Sequence, residues 1–288
     1  APYRILRPAK QTAPVVFASP HSGRNYPHAF LEAARLDAAG LRRSEDCFVD
    51  ELFEGAIAAG APLVAAQFAR AYCDPNREQW ELDPAMFLDT LPDWVNTTSA
   101  RVGAGLGTLA RVVASGETIY RRKLSFREAE FRVRTFWQPY HAALRELLDE
   151  TRRSFGACLL IDCHSMPAQT QAGGRPSPDI VLGDAHGTAC SPSVMRAAEV
   201  MLTDLGFRVR RNDPYAGGYV TRHYGRPRER IHAIQIELAR GLYMDEARLL
   251  QSVDFPAVRQ KLTEFATRIC AAAPDLLDPE KARSPLPG

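Results

Sequence analysis

Two histidines, one internal glutamate and an arginine turn are the residues whose types and settings could do chemistry. His164 lies near the end of CLLIDCHSM, Cys158 to Met166, a short apolar run with the length and flanks of a buried strand. In strand alternation Leu160, Asp162 and His164 share one face and Ile161 and Cys163 the other, so a carboxylate and an imidazole stand side by side. His21 has a matching setting: PVVFASPHSG is another apolar strand, and His21 leaves its end ahead of a Ser-Gly turn. Alone, either histidine reads first as a hydrogen-bonded core residue. Together, at two strand ends, they suit one zinc ion. A catalytic zinc takes three protein ligands and keeps a position for water. The third ligand would be a carboxylate or histidine, with Glu45, Asp46, Asp162 and His186 as candidates.

Glu237 sits among Ile234, Ile236 and Leu238 in RIHAIQIELAR. A carboxylate in so apolar a strand is costly unless it is paired or employed. It is either an ion-pair partner of Arg240 or a general base beside an activated water. Asn76 and Arg77 lie in the turn DPNRE, where the planar guanidinium matches a carboxylate; a solvated surface ion pair is the plainer alternative. The Gly pair in PYAGGYVTRHYG permits close backbone approach. The chain lacks GxGxxG, GxxxxGK[ST] and GxSxG, which argues against nucleotide binding and an α/β-hydrolase serine.

Those residues need elements to hold them. The 288 residues can bury a sizeable core. A net charge of +2 carries no nucleic-acid footprint. The six cysteines form no CxxC pair and suit a reducing cytoplasm. APYRILRPAK has no apolar signal core, and no run of about twenty apolar residues implies a membrane span. Strands are expected at PVVFAS, APLVAAQFAR, CLLIDCHSM, DIVLGDAHG, FRVRRND and RIHAIQIELAR. Helices are expected at AFLEAARLDAAG, at EDCFVDELFEGAIAAG, along FREAEFRVRTFWQPYHAALRELLDETRR with Pro139 near its middle, at SPSVMRAAEVMLTDLG, and toward the C-terminus. PYAGGYVTRHYG and PAQTQAGGRPSP read as loops, and EKARSPLPG as a frayed tail. Strands alternating with helices make an α/β protein with a mixed, mainly parallel sheet. We expect one catalytic domain over 1–288, with a helical and loop insertion at about 84–155 that is a candidate lid.

Taken in order, SPHSGRNYP, DCFVDEL, ARAYCDPNRE, LIDCHSMP, DIVLGDAHG, NDPYAGGYVTRHYG and QIELARGLYMDE resemble the N-formylglutamate amidohydrolases, and through them the wider zinc carboxypeptidase and aspartoacylase group. The resemblance runs from about His21 to Glu246. It implies a three-layer, zinc carboxypeptidase-like sandwich with helices flanking the sheet. It also implies one Zn²⁺ bound by His21 and His164, Glu237 as general base, and Asn76 with Arg77 as a carboxylate clamp. The wider group has HxxE after its first strand, but Arg24 stands in the glutamate's place and cannot ligate. The third ligand then comes from the acidic residue before the FVDEL helix, assigned to Asp46 over Glu45. Asp162 becomes a partner that orients an imidazole, and Arg111 a second cation for a doubly charged substrate. The implied reaction is hydrolysis of N-formyl-L-glutamate to formate and glutamate, a late step in histidine breakdown. The expected partner is a small anionic N-acyl amino acid, with no nucleic acid or membrane, acting on a cytoplasmic monomer or homodimer. A relative acting on another N-acyl amino acid or small peptide, or a non-catalytic binding protein on the same fold, would keep the fold and change the site's use.

Overall fold

The apolar runs become the strands of one mixed sheet. The computed structural model describes residues 1–113, 116–168 and 177–278; most of the PAQTQAGGRPSP loop and the EKARSPLPG tail lie outside them. In chain order the first elements are β1 (Tyr3–Leu6), β2 (Val15–Ser19), α1 (His28–Ala33), α2 (Ala38–Arg42), α3 (Val49–Leu52), α4 (Gly55–Ala58), β3 (Leu63–Ala66), α5 (Ala100–Gly103) and α6 (Phe126–Arg132). They continue with α7 (Gln138–Phe155), β4 (Cys158–Met166), β5 (Ile180–Gly183), α8 (Pro192–Asp204), β6 (Val209–Arg211), α9 (Tyr219–Tyr224), β7 (Ile231–Ala239), β8 (Met244–Asp245), β9 (Leu250–Gln251) and α10 (Phe255–Leu276). The sheet runs β1-β3-β2-β4-β7-β5-β6, and β8 and β9 form a separate hairpin. β2, β4 and β7 are parallel neighbours, and β5 turns antiparallel against β7.

Every residue of β2 and β4 is buried, as a strand covered on both faces requires. Register aligns Ala18 with Asp162, Asp162 with Gln235, and His164 with Glu237. The polar residues thus gather at the carboxyl ends of adjacent central strands, where open α/β sheets place ligands.

Contacts divide the chain into two compact units, one of Ala1–Arg4, Pro20–Cys47 and Ala65–Ala143, the other of Ile5–Ser19, Phe48–Val64 and Leu144–Gly288. In the first, Phe30, Tyr72 and Tyr120 pack their rings together and Phe136 stacks edge-on against Phe68 and Tyr72. In the second, α10 buries Phe255, Val258, Leu262, Phe265, Ala266 and Ile269 along one stripe.

Several helices depart from their sequence patterns. AFLEAARLDAAG is two helices, because Ala34 is extended, the amide of Arg35 donates to the carbonyl of Ile119, and Asp37 starts α2 by accepting from the amide of Gly40. EDCFVDELFEGAIAAG gives α3 and α4, divided at Phe53 and Glu54, and a left-handed Phe48 keeps Glu45 to Cys47 outside the helix. PYAGGYVTRHYG contains α9 where a loop was expected, with Gly217 and Gly218 ahead of the helix and Gly225 after it. The long FREAEF…TRR helix runs through Pro139, and Val133–Trp137 forms a π turn just before the proline.

Candidate metal centre

His21 leaves β2 two residues after Ser19 and is 1% exposed. Its carbonyl accepts from the amide of Asp46 at 3.1 Å, a backbone tie that brings in a segment 25 residues further along the chain. Its ring meets two carboxylates: Nε2 is 2.8 Å from Oδ1 of Asp74, and Nδ1 is 3.3 Å from Oδ2 of Asp46. His164, 2% exposed, places Nε2 3.0 Å from Oδ1 of Asp162, its strand-face neighbour. Oδ2 of Asp162 accepts from the hydroxyl of Thr221 in α9 at 3.0 Å. One ligand atom from each of His21, Asp46 and His164 lies within 4.8 Å of the others, and all three residues are buried.

This set fits a metal ion. If the one N–H of a neutral imidazole lies on Nε2 of His21, it donates to Oδ1 of Asp74. Nδ1 then turns a lone pair toward Asp46, an arrangement that a cation relieves. Two ligands of one tetrahedral zinc, each at ~2.0–2.1 Å, stand about 3.3–3.4 Å apart, which the Nδ1–Oδ2 separation matches. A carboxylate behind each imidazole is the usual support of a metal-bound histidine.

The other third-ligand candidates are placed differently. Glu45 accepts from the hydroxyl of Tyr26 at 2.7 Å and from Nε of Arg42 at 3.2 Å, and takes the thiol of Cys47 at 3.3 Å. His186 is exposed on a left-handed turn. Asp162 stands behind His164 and outside the three-residue group.

Glu237 is 8% exposed, and its Oε1 accepts from Nε2 of Gln235 at 2.8 Å. Oε1 of Gln235 in turn accepts from the amide of Gly218 at 2.7 Å. α9 and the glycine before it therefore brace Asp162 through Thr221 and Glu237 through Gln235. Nε of Arg240 donates to the hydroxyl of Ser165 at 3.1 Å.

The turn Asp74–Arg77 is buried throughout. Asp74 accepts from Nη2 of Arg70 and from the amide of Asn76, both at 2.8 Å. Burial works to raise its pKa, but Arg70, His21 and Arg77 together hold it well below the usual carboxylate range. Arg77 is fixed by donating Nε to the carbonyl of Leu106 at 2.7 Å and Nη1 to the carbonyl of Asn76 at 2.8 Å. Arg111 donates Nε to Asp83 at 2.8 Å and keeps 39% of its side chain exposed.

Sequence reasoning passed over Asp74, Arg70, Thr221 and Gln235. The pairing of Gln235 with Glu237 was available from strand alternation, which puts both on one face. Asp74 and Thr221 sit in segments whose local pattern says only turn or loop, and Arg70 ends a run whose pattern says only strand.

A buried His-Asp-His set that could hold a metal ion stands on a mixed α/β sheet, with Glu237 in register beside His164. The N-formylglutamate amidohydrolase family model matches residues 13–244, and the chain belongs to that family. It is 31% identical over 237 residues to the N-formylglutamate deformylase of Pseudomonas putida, covering 81% of this chain and 82% of that protein. Against the N-formylglutamate deformylase of Pseudomonas aeruginosa it is 30% identical over 248 residues, covering 84% and 86%. The crystal structure of N-formylglutamate amidohydrolase from Ralstonia eutropha JMP134 superposes with a TM-score of 0.89 at 36% identity, covering 95% of this chain and 98% of that one. The gene product Atu2144 from Agrobacterium tumefaciens shares the fold, with a TM-score of 0.64 at 17% identity over 94% and 95% of the two chains. Among the described residues no helix is long and apolar enough to cross a membrane.

Proposed function

We propose that this chain hydrolyses the formyl amide of N-formyl-L-glutamate to formate and L-glutamate, using one zinc ion held by His21, Asp46 and His164. The observation that carries the reading is the buried three-residue group, with Glu237 in register beside His164. The names of the two Pseudomonas relatives supply the substrate. Zinc bound there would lower the pKa of its water toward neutrality and polarise the formyl oxygen.

The residues divide the remaining work. Glu237 takes the proton of the attacking water and returns it to the departing nitrogen of glutamate. Gln235 fixes the rotamer of that carboxylate. Asp74 and Asp162 hold the two imidazoles in the tautomer and orientation a metal requires. Asn76 and Arg77 clamp a substrate carboxylate, and the immobilised guanidinium of Arg77 makes that clamp preorganised. Arg111 takes a second carboxylate through Nη while Nε stays on Asp83. None of the six cysteines is in a disulfide, which supports a reducing, cytoplasmic setting for this late step of histidine breakdown.

The test is metal content measured alongside formate release from N-formyl-L-glutamate, N-acetyl-L-aspartate and a C-terminal dipeptide. We expect one zinc per chain and the highest kcat/KM on the first compound. Preference for either other compound sinks the substrate assignment. Protein without stoichiometric zinc, and without activity on adding Zn²⁺, sinks the metalloenzyme.

A further inference from the structure

The turn Tyr72–Arg77 is held from one side by a single long helix. Nη1 of Arg132 donates to the carbonyl of Tyr72 at 3.2 Å. Nε1 of Trp137 donates to the carbonyl of Arg77 at 3.1 Å. Nε2 of His141 lies 2.8 Å from the carbonyl of Pro75 and must be the donor there. Three side chains of one helix thus bind three carbonyls of the turn that carries Asp74, Asn76 and Arg77.

An uninterrupted α-helix would not present those three residues together. At 3.6 residues per turn, positions 132 and 137 would point about 140° apart. The π turn at Val133–Trp137 narrows that offset. Its closing bond runs from the amide of Gln138 to the carbonyl of Val133, five residues back. A π turn closes on the fifth residue back where an α turn closes on the fourth, so Trp137 comes onto nearly the same side as Arg132. From Trp137 the regular α-helix resumes, and His141 follows four residues later on the same face. Trp137 and His141 also stack ring on ring, with centroids 3.7 Å apart.

Arg132 is locked at the other end of the row. It is 4% exposed, its Cζ lies 4.2 Å from the Tyr72 ring centroid, and Nη1 donates to the hydroxyl of Tyr120 at 2.6 Å. A buried guanidinium costs free energy, and here aromatic faces and two oxygens compensate it. The turn is therefore held by a fixed frame.

We propose that the π turn is a register device: it aligns Arg132, Trp137 and His141 as positioning residues that hold the Tyr72–Arg77 turn, and so set affinity for the substrate carboxylate. The inference rests on the clamp role given above to Asn76 and Arg77. Trp137 and His141 act through the backbone of the turn and touch no substrate.

The test uses the zinc-loaded full chain and N-formyl-L-glutamate, with KM, kcat and zinc content read for each variant. Trp137→Phe keeps the stack on His141 and removes the N–H. We expect KM to rise about tenfold, with kcat within about threefold and zinc retained. His141→Leu gives the same split, and His141→Gln, which restores a donor, returns KM to within about threefold of the parent. Arg77→Lys raises KM as a direct clamp variant. If Arg77→Lys raises KM while Trp137→Phe and His141→Leu leave it unmoved and only lower the melting temperature, the positioning role is wrong. If Arg77→Lys leaves KM unchanged, the clamp fails and the inference fails with it. Should Trp137→Phe not fold, the His141 pair decides on the same criteria.

Discussion

At the scale of single residues, each imidazole of the candidate metal centre has a carboxylate beside it, and the two carboxylates are held differently. Asp74 accepts from Arg70, from the amide of Asn76 and from His21. Asp162 accepts from a neutral hydroxyl, that of Thr221. Asp74→Asn removes the charge that fixes the His21 tautomer, and we expect zinc affinity to fall about 10- to 100-fold, read by chelator competition. Glu237→Gln keeps a side chain of the same shape and removes the proposed base. We expect full zinc content with kcat lowered about 10²- to 10⁴-fold; a fully active variant takes Glu237 out of the base role. Gln235→Leu leaves both carboxylate oxygens in place but takes away one donor and the link to Gly218. It should lower kcat more than it raises KM, a split that initial-rate kinetics resolves.

At the scale of elements, the turns after the strands carry the tight geometry. A Cβ on Gly23 would lie 2.1 Å from the carbonyl oxygen of Phe68. That neighbour is backbone and cannot rotate aside, so Gly23→Ala must shift the turn that holds His21. We expect a loss of about 2–4 kcal/mol, measured by denaturant unfolding, together with weakened zinc retention. The long helix starts at a capping box, with Ser125 accepting from the amide of Glu128 and Glu128 accepting from the amide of Ser125. The hydrogen bond from Arg122 chiefly holds the Glu128 pKa down, at about 2 against an ordinary 4.5. A carboxylate whose folded pKa is depressed stabilises fully above its unfolded value and loses that contribution as pH falls through the folded one. Stability should therefore drop between about pH 4.5 and pH 2, and Glu128→Gln should flatten that part of the acid unfolding curve.

Element types were legible where hydrophobic period decides them. β2 and the first half of β4 read correctly because a strand buried on both faces needs an apolar segment, and β7 read correctly from its period-two alternation. α8 read correctly from its period and its stop at Gly206, which has φ of +85°. The helices that broke did so for tertiary reasons: Ala34 and Arg35 spend their backbone on residues 119 and 120, and Phe48 adopts a left-handed conformation that no propensity forecasts.

At the scale of the whole molecule, a metal bound only by the folded chain adds to stability by mass action. Zinc at a thousandfold excess over its dissociation constant contributes about 4 kcal/mol. Chelator-treated protein should melt lower and recover on zinc addition, which differential scanning fluorimetry records. A melting temperature indifferent to chelator and to zinc counts against a bound ion.

The chain by itself determined the strand runs, the two strand-end histidines, the faces that pair Asp162 with His164 and Gln235 with Glu237, and the ordered motifs of the family. All of these are local, set by side-chain period and residue type. Tertiary structure decided which acidic residue meets the histidines. Glu45 and Asp46 are adjacent and chemically equivalent on paper, and the backbone bond from Asp46 to His21, with Glu45 drawn off by Tyr26 and Arg42, separates them. It also decided that Asp74 backs His21 across 53 residues and that a π turn lines up the residues holding its loop. Such choices depend on which distant groups fold into hydrogen-bond reach, and local sequence does not carry that distance.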